Sequence, residues 1–487
     1  MDSSPSFNIS NNVAHANSQQ IITTYYDLNG HNASVQACLR ALDCPDVDAV
    51  RTEIHSLDGV IPECIAWIFQ DDRFLQWKEQ EGNAILWIYG SPGKGKTRMA
   101  AGIVDKLREE TSSPGVNGLT GFFFCRSTDG HMNNAVDVLK GIIRTIWEQR
   151  QSLKEHVHHH WIKEEQKFDK DLNQVASLWN LLEKMTKDIG HQATYIVIDA
   201  IDECSEQVEH LLRLIHTAGL VSPPNVKWLI TSRPSSLDLQ GSIWSYHRPM
   251  QIDLDSFTVQ VDDAVQRYIR VKTAWMELSR FSVDDQARIC KLLLTKSEST
   301  FLWVAFVCQE VRNLPASEVI RVISAMPEGL HRLYEKNMQL LDEACRDSNE
   351  FAIEHRNLVW TLYNLSGSPH LLELAVLAGL PTENASDESY LIRVIRECNT
   401  FMVLTDNDAV MLVHKSVKDY LDELQPEMLR MSRLPSQNSI AKQCIIILQR
   451  SLRKNIAELC ELDSEAKGAR LELRTRFSST AGIFFIG

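Results

Sequence analysis

Three textures of apolar and polar positions follow one another along the chain. From residue 84 to 255, short apolar-rich runs alternate with stretches of helical spacing. The runs are 84–89 (AILWIY), 119–125 (LTGFFFC), 195–199 (YIVID), 226–231 (VKWLIT) and 250–254 (MQIDL). The unbroken run 84–89 is that of a parallel strand covered on both faces, and the others read as strands beside it. Between them, Met99, Ile103 and Leu107 fall on one helical face, as do Val136, Leu139, Ile143 and Ile146, then Leu178, Leu181, Leu182 and Met185, then Val208, Leu211, Leu212 and Ile215. Strand and helix in this rhythm predict one α/β domain over 84–255, a parallel doubly wound sheet with right-handed crossovers.

The flanking regions read differently. Residues 1–34 are rich in Asn, Ser and Gln without helical periodicity, and a disordered or β-prone segment is expected. QQIITTYY at 19–26 suits strand pairing, either as an edge strand or with copies of itself. Over 35–83 the spacing of Cys38, Leu39 and Leu42, then Ile65, Ile68, Phe69 and Trp77, predicts a helical adaptor packed on the sheet. After 255 the pattern is helical: a helical domain at 256–348, broken near Pro315 and Pro327, then helices at 358–365, 371–377 and 390–398. FMVLTDNDAVMLVH at 401–414 holds two β-like pieces about an Asn/Asp turn, and a helix at 417–424 follows; this predicts a winged-helix domain over 349–425. Residues 426–487 read as the start of a C-terminal helical region cut short.

Length and charge narrow the classes. A chain of 487 residues exceeds one ordinary core, so several domains are expected. With a net charge of −14 and no long basic stripe, nucleic acid is not the expected ligand. The 11 cysteines include no C-x-x-C pair and read as reduced, mostly buried thiols. No apolar run reaches membrane-span length and no signal-peptide core is present, so a cytoplasmic protein is expected. His156, His158, His159 and His160 point in different directions on a helix and read as a solvated surface rather than a metal site.

The chemistry gathers where the strands end. Gly90 to Thr97 reads GSPGKGKT directly after the first apolar run, the spacing of a phosphate-binding loop. Its glycines let backbone N–H groups converge on a β-phosphate, Lys96 supplies a charge to the β- and γ-phosphates, and Thr97 offers a hydroxyl to Mg²⁺. Gly90, Ser91, Pro92, Gly93, Lys94, Gly95, Lys96, Thr97 and Arg98 are thus the nucleotide-binding candidates. Asp199 ends the YIVID strand, where Mg²⁺ takes an oxygen ligand. Asp202 and Glu203 follow, placed to polarise an attacking water or, alternatively, to decorate a helix N-terminus. Arg233, in TSRP at another strand end, is a γ-phosphate contact or a structural ion pair. No N-K-x-D guanine motif follows the sheet, which favours ATP and ADP over guanine nucleotides.

With these residues in view, the chain resembles the NACHT-type STAND NTPases, in particular the fungal NOD-like proteins. The resemblance runs over about residues 36–460 and rests on CLRALDCPDVDAVRTEI, the loop, IDAIDEC, TSRP, FLWVAF, MPEGLHRLYE and LVHKSVKDYL in that order. It implies a switch in which sheet, helical domain and winged helix close around ADP and rearrange with ATP and Mg²⁺, with slow hydrolysis by Lys96, Asp202 and Glu203. It also implies protein partners, homo-oligomers on activation, and a setting in NOD-like immunity or heterokaryon incompatibility. In that family a winged-helix His contacts the ADP β-phosphate; the matching residue is His414, which otherwise serves only its own domain. The chain departs from the family pattern in showing no long effector domain before the adaptor and no 30- to 45-residue sensor repeat after the winged helix. Two function classes follow: a signalling ATPase switch, and a module that holds ADP and acts by binding related full-length proteins.

Overall fold

The computed structural model describes residues between 42 and 445, apart from 43, 57–58, 114–117, 128–131, 151–152, 154–172, 189–191, 205, 220–224, 235–248, 276–280, 313, 348, 366, 398–399, 406–407 and 429–439. The expected N-terminal segment 1–34, the His156 to His160 cluster and most of 426–487 lie outside the described residues.

Five strands form the parallel sheet: β1 (Ala84–Tyr89), β2 (Leu119–Phe124), β3 (Thr194–Asp199), β4 (Val226–Ser232) and β5 (Met250–Asp253), in the order β2-β3-β4-β1-β5. Strands β2, β3 and β4 are buried along their whole length because helices cover both faces, which is why their sequences run apolar without alternation. Helix Lys96–Thr111 carries the chain from β1 to the far edge, and β5 returns on the other side of β1. The connections therefore diverge at β1 and β4, and a crevice opens at their carboxyl ends, where ligands of such sheets bind.

Helices Val47–Ser56, Pro62–Ile65 and Asp72–Glu79 precede β1. They are fastened to the sheet by more than apolar contact. Fully buried Trp77 donates its indole N–H to the Trp228 carbonyl of β4 at 2.9 Å. Lys227, also in β4, is inaccessible; its ammonium donates to the Gln80 carbonyl and, at 2.6 Å, to the Gly82 carbonyl just beyond the last of these helices. Burial pushes that ammonium down to about 8.

After β5 come helices Thr258–Trp275, Val283–Lys296, Phe301–Val311, Ala316–Ala325 and Leu330–Arg346. Helix Glu350–Asn364 begins eight residues before the sequence-based start because Asn349 caps it, its side chain accepting from the Ala352 N–H. Helices Leu371–Leu377 and Glu388–Glu397 follow, then an antiparallel pair, β6 (Met402–Leu404) and β7 (Val410–Leu412), and helix Lys415–Met428. One continuous apolar cluster runs from Leu42 to Leu421, so the sheet and the C-terminal helices share a core. The cysteines in the described residues are free thiols, most of them buried.

Candidate functional site

The loop after β1 is shaped by residues on three sides. Gly93 and Gly95 take left-handed φ values of 77° and 83°, which a side chain rarely adopts. Gly90 is needed for space: a Cβ there would lie 2.8 Å from Leu254 Cβ. Next to Leu254, Asp255 accepts from the Ser91 N–H at 2.8 Å and the Ser91 hydroxyl at 2.9 Å, both through Oδ2. On the other side the Gly93 carbonyl accepts from the Phe301 N–H at 3.0 Å, and Lys94 donates to the Glu298 carbonyl at 3.1 Å. Asp255 and the 298–301 turn were not found from the sequence; the contacts span 164 and more than 200 residues, and only adjacency to β5 could have suggested the first.

The donor set suits phosphate. Helix Lys96–Thr111 starts at Gly95 with no side-chain oxygen capping it, so its leading N–H groups and positive end face the loop. Lys96 folds back, donating to the Gly90 and Ser91 carbonyls at 2.5 and 3.0 Å. Burial lowers its pKa to about 8, Asp202, Asp199 and Asp255 oppose the fall, and Arg233 adds to it.

At the end of β3, Asp199 is 1% exposed and accepts from the Thr231 hydroxyl at 2.5 Å and from the Thr97 hydroxyl. Burial raises its carboxyl to about 6, against these two hydrogen bonds. A carboxylate and a hydroxyl brought together at the phosphate loop are the hard oxygen ligands that Mg²⁺ takes, so the residues present fit that ion. The next residue, Ala200, is held at φ 51° and ψ 49°, a left-handed conformation costing about 1–3 kcal/mol in a non-glycine residue. Its N–H donates to the Thr231 hydroxyl at 2.9 Å, so Thr231 fixes both the metal candidate and the strained turn behind it.

That turn, Ile201–Glu203, sends the two acids in different directions. Glu203 accepts from the Ser127 N–H at 2.9 Å, beside the end of β2, and burial raises its carboxyl. Asp202 faces the C-terminal helix instead. Lys415 donates to its carboxylate at 3.1 Å and to its carbonyl at 2.9 Å, and Arg233 Nε lies 3.4 Å from the same carboxylate. The Arg233 guanidinium also pairs with Asp419, one turn after Lys415. His414 stands beside them. Burial, then the charges of Arg233, Lys96 and Arg98, push its ring down to about 3, so it is neutral at physiological pH. Lys96, Arg233 and His414, distant in sequence, are thus brought to one cleft.

Beside the loop an apolar cleft is lined by Ile61, Ile65, Trp67, Val261, Tyr268 and Phe301, with Lys94, Gly95 and Arg98 among its walls. Tyr268 and Phe301 meet edge to face with centroids 5.4 Å apart. Apolar and aromatic walls of this kind are what a flat heterocycle packs against. The sequence carried only a faint sign of it, the apolar turn Val60 to Pro62 between two helices.

The family model for the N-terminal part of nephrocystin 3 matches residues 63–233, from the adaptor to Arg233. The chain is similar to the vegetative incompatibility protein HET-E-1 of Podospora anserina, 29% identical over 402 residues, which are 80% of this chain and 28% of that one. It therefore spans little more than a quarter of that relative's length. Among solved structures, the Aeropyrum pernix ORC2 protein in ADPNP and ADP complexes aligns with 75% of this chain and 94% of its own at 11% identity and a TM-score of 0.36. A Thermotoga maritima RuvB mutant aligns with 74% and 94% at 16% identity and 0.28. At these scores the overall likeness carries no argument.

Proposed function

We propose that this chain, a P-loop NTPase of the NACHT, NOD-like type, is a nucleotide-operated signalling switch that binds ATP and ADP with Mg²⁺, hydrolyses ATP slowly and opens into oligomers. The base lies in the apolar cleft and the phosphates on the loop from Gly93 to Thr97. Thr97 and Asp199 hold the metal, and Thr231 keeps Asp199 in place. When bound, Mg²⁺ neutralises charge on the phosphate oxygens. Asp202 orients the attacking water and Arg233 meets the γ-phosphate in the open form. His414 donates to the ADP β-phosphate in the closed one. Residues 349–425 act as the winged-helix lid on a sheet domain at 84–255, with the helices of 256–348 between them. The setting is cytoplasmic signalling of the incompatibility or innate-immune kind, through protein partners.

The observation that carries this reading is the clasp across the cleft. Asp202 is held by Lys415, and Arg233 by Asp419, from residues 213 and 186 positions away. The groups assigned to hydrolysis are thus engaged by the lid, so turnover requires the lid to leave. Hydrogen-bonded charge pairs of this partly buried kind contribute about 1.5–3 kcal/mol. Replacing Lys415 by Met together with Asp419 by Asn therefore moves the closed-to-open balance by about tenfold or more. The expected result is faster ATP turnover and larger mass by light scattering with ATP. Parental turnover and mass would sink the switch.

One observation favours the second reading, a module that holds ADP without significant turnover: both candidate acids are already bonded within the fold, Glu203 to the Ser127 N–H and Asp202 to two cations. Replacing both by their amides separates the two readings. On the switch reading turnover falls about a hundredfold with ATP affinity within a few-fold; on the module reading the parent itself releases unhydrolysed nucleotide after long incubation.

A further inference from the structure

The lid residue His414 is not held by its own helix alone. The Ser416 backbone N–H donates to His414 Nδ1 at 3.1 Å, and the Ser416 hydroxyl lies 2.7 Å from the same atom. A backbone N–H can only donate, so Nδ1 is the acceptor and the neutral ring carries its proton on Nε2. The Ser416 hydroxyl then donates to Nδ1 and is left with its oxygen as an acceptor. That oxygen is 3.0 Å from the hydroxyl of Tyr334, on helix Leu330–Arg346, 82 residues earlier. Tyr334 is 1% exposed, set among the rings of Phe306, Phe401 and Tyr420, and burial holds its phenol well above the usual value, so it remains a donor.

We propose that Tyr334 and Ser416 are positioning residues for nucleotide discrimination: a one-way hydrogen-bond chain from Tyr334 to Ser416 to His414 Nδ1 fixes the ring as an Nε2–H donor. The chain ties the helical domain to the phosphate site through a single oriented proton. When the lid leaves, the ring and the helix lose each other together, so the helix registers which nucleotide is bound. This rests on the reading of His414 as a contact to the ADP β-phosphate.

The test uses the full chain with ring-¹⁵N-labelled histidine, the His414 signals being those absent from His414→Ala. In the ADP-bound parent, Nδ1 resonates as a hydrogen-bonded acceptor nitrogen and Nε2 as a protonated one. Tyr334→Phe keeps the aromatic packing and removes only the hydroxyl; Ser416→Ala removes the middle of the chain. Both are expected to move the Nδ1 signal towards that of an acceptor with weaker bonds and to lower ADP affinity three- to tenfold, with ATP affinity within twofold. Ser416→Thr, which restores a hydroxyl, returns both readouts towards the parent. An unmoved Nδ1 signal in both variants overturns the chain. Parental ADP affinity in both variants, beside a weakened His414→Ala, overturns the inference alone. Parental ADP affinity in His414→Ala overturns the phosphate contact on which it rests.

Discussion

The two walls of the cleft are built in opposite ways. On the near wall, the groups that face phosphate come from one short run of chain: Gly93, Gly95 and Lys96 follow a strand as a left-handed turn and a helix start, with Lys96 bonded to carbonyls five and six positions back, while Asp255 and Phe301 brace the loop from outside. On the far wall, Ser416, which holds His414, reaches its partner across 82 residues of chain, and Asp419 and Lys415 reach theirs across 186 and 213. The near wall offers N–H groups and a cation, which any nucleotide phosphate satisfies. The far wall touches groups to which the proposed switch assigns sensing and hydrolysis, and on that proposal only some nucleotide states engage them. A local wall is therefore suited to affinity and a distant one to discrimination, since only the distant one can be present in one state and missing in another. Changes on the near wall should weaken ATP and ADP together, whereas changes on the far wall should alter their ratio.

The largest effect is expected from Lys96→Ala. A charge-assisted contact to phosphate is worth about 1.5–3 kcal/mol, so both affinities should fall tenfold or more in calorimetry. The loss should be parallel. If ADP binding survived while ATP binding failed, the near wall would itself discriminate and the contrast between the walls would collapse.

What the sequence made legible follows the same division. Strands β1 to β4 and the loop were readable because burial on both faces writes an apolar run and because the phosphate loop needs glycines at fixed spacing. The place of Asp199 was legible for the same reason, as the last residue of such a run, although its hydrogen bond from Thr231 was not. The pairing of Asp202 with Glu203 as neighbouring acids concealed their separation, since the left-handed Ala200 turn sends them to different partners. Asp255, Tyr334, Ser416 and the Lys415 and Asp419 clasp leave no periodic or spacing signal. Their roles come from tertiary packing between elements that local pattern places independently. The role proposed for His414 rests on family resemblance rather than on any feature of its own segment.

A pH test sharpens the contrast. Burial holds Lys96 at about 8, so its cation is present below that pH and lost as pH rises through it. Bound phosphates favour the charged form, so nucleotide binding above pH 8 should take up a proton, and affinity should fall about five- to tenfold between pH 8 and 9. ATP and ADP should lose affinity together. His414, at about 3, is already neutral across this range and adds no step of its own. Calorimetry at pH 7 and pH 9 in buffers of different ionisation enthalpy counts the protons. No uptake at pH 9 would show that Lys96 is not the phosphate contact, and an uptake confined to ADP would move the titrating group to the far wall.

The smallest expected effect belongs to Asp255→Asn. One carboxylate oxygen accepts both the N–H and the hydroxyl of Ser91, and the other lies 3.9 Å from Lys94. Asparagine, with its carbonyl oxygen in the Oδ2 position, keeps both acceptor contacts and loses the charge. A hydrogen bond to a charged acceptor is stronger than one to a neutral acceptor by about 1 kcal/mol, so the loop should be held less firmly. Removing the charge also eases repulsion of incoming phosphates, but Lys94 already offsets much of that repulsion. The loosening should therefore win, with both nucleotides about threefold weaker and turnover at saturation unchanged, because Asp255 sets the shape of the loop and not the lid. A gain in affinity for both would mean that repulsion outweighs anchoring. A loss confined to ATP would place Asp255 with the far wall, in spite of its position directly beside the loop.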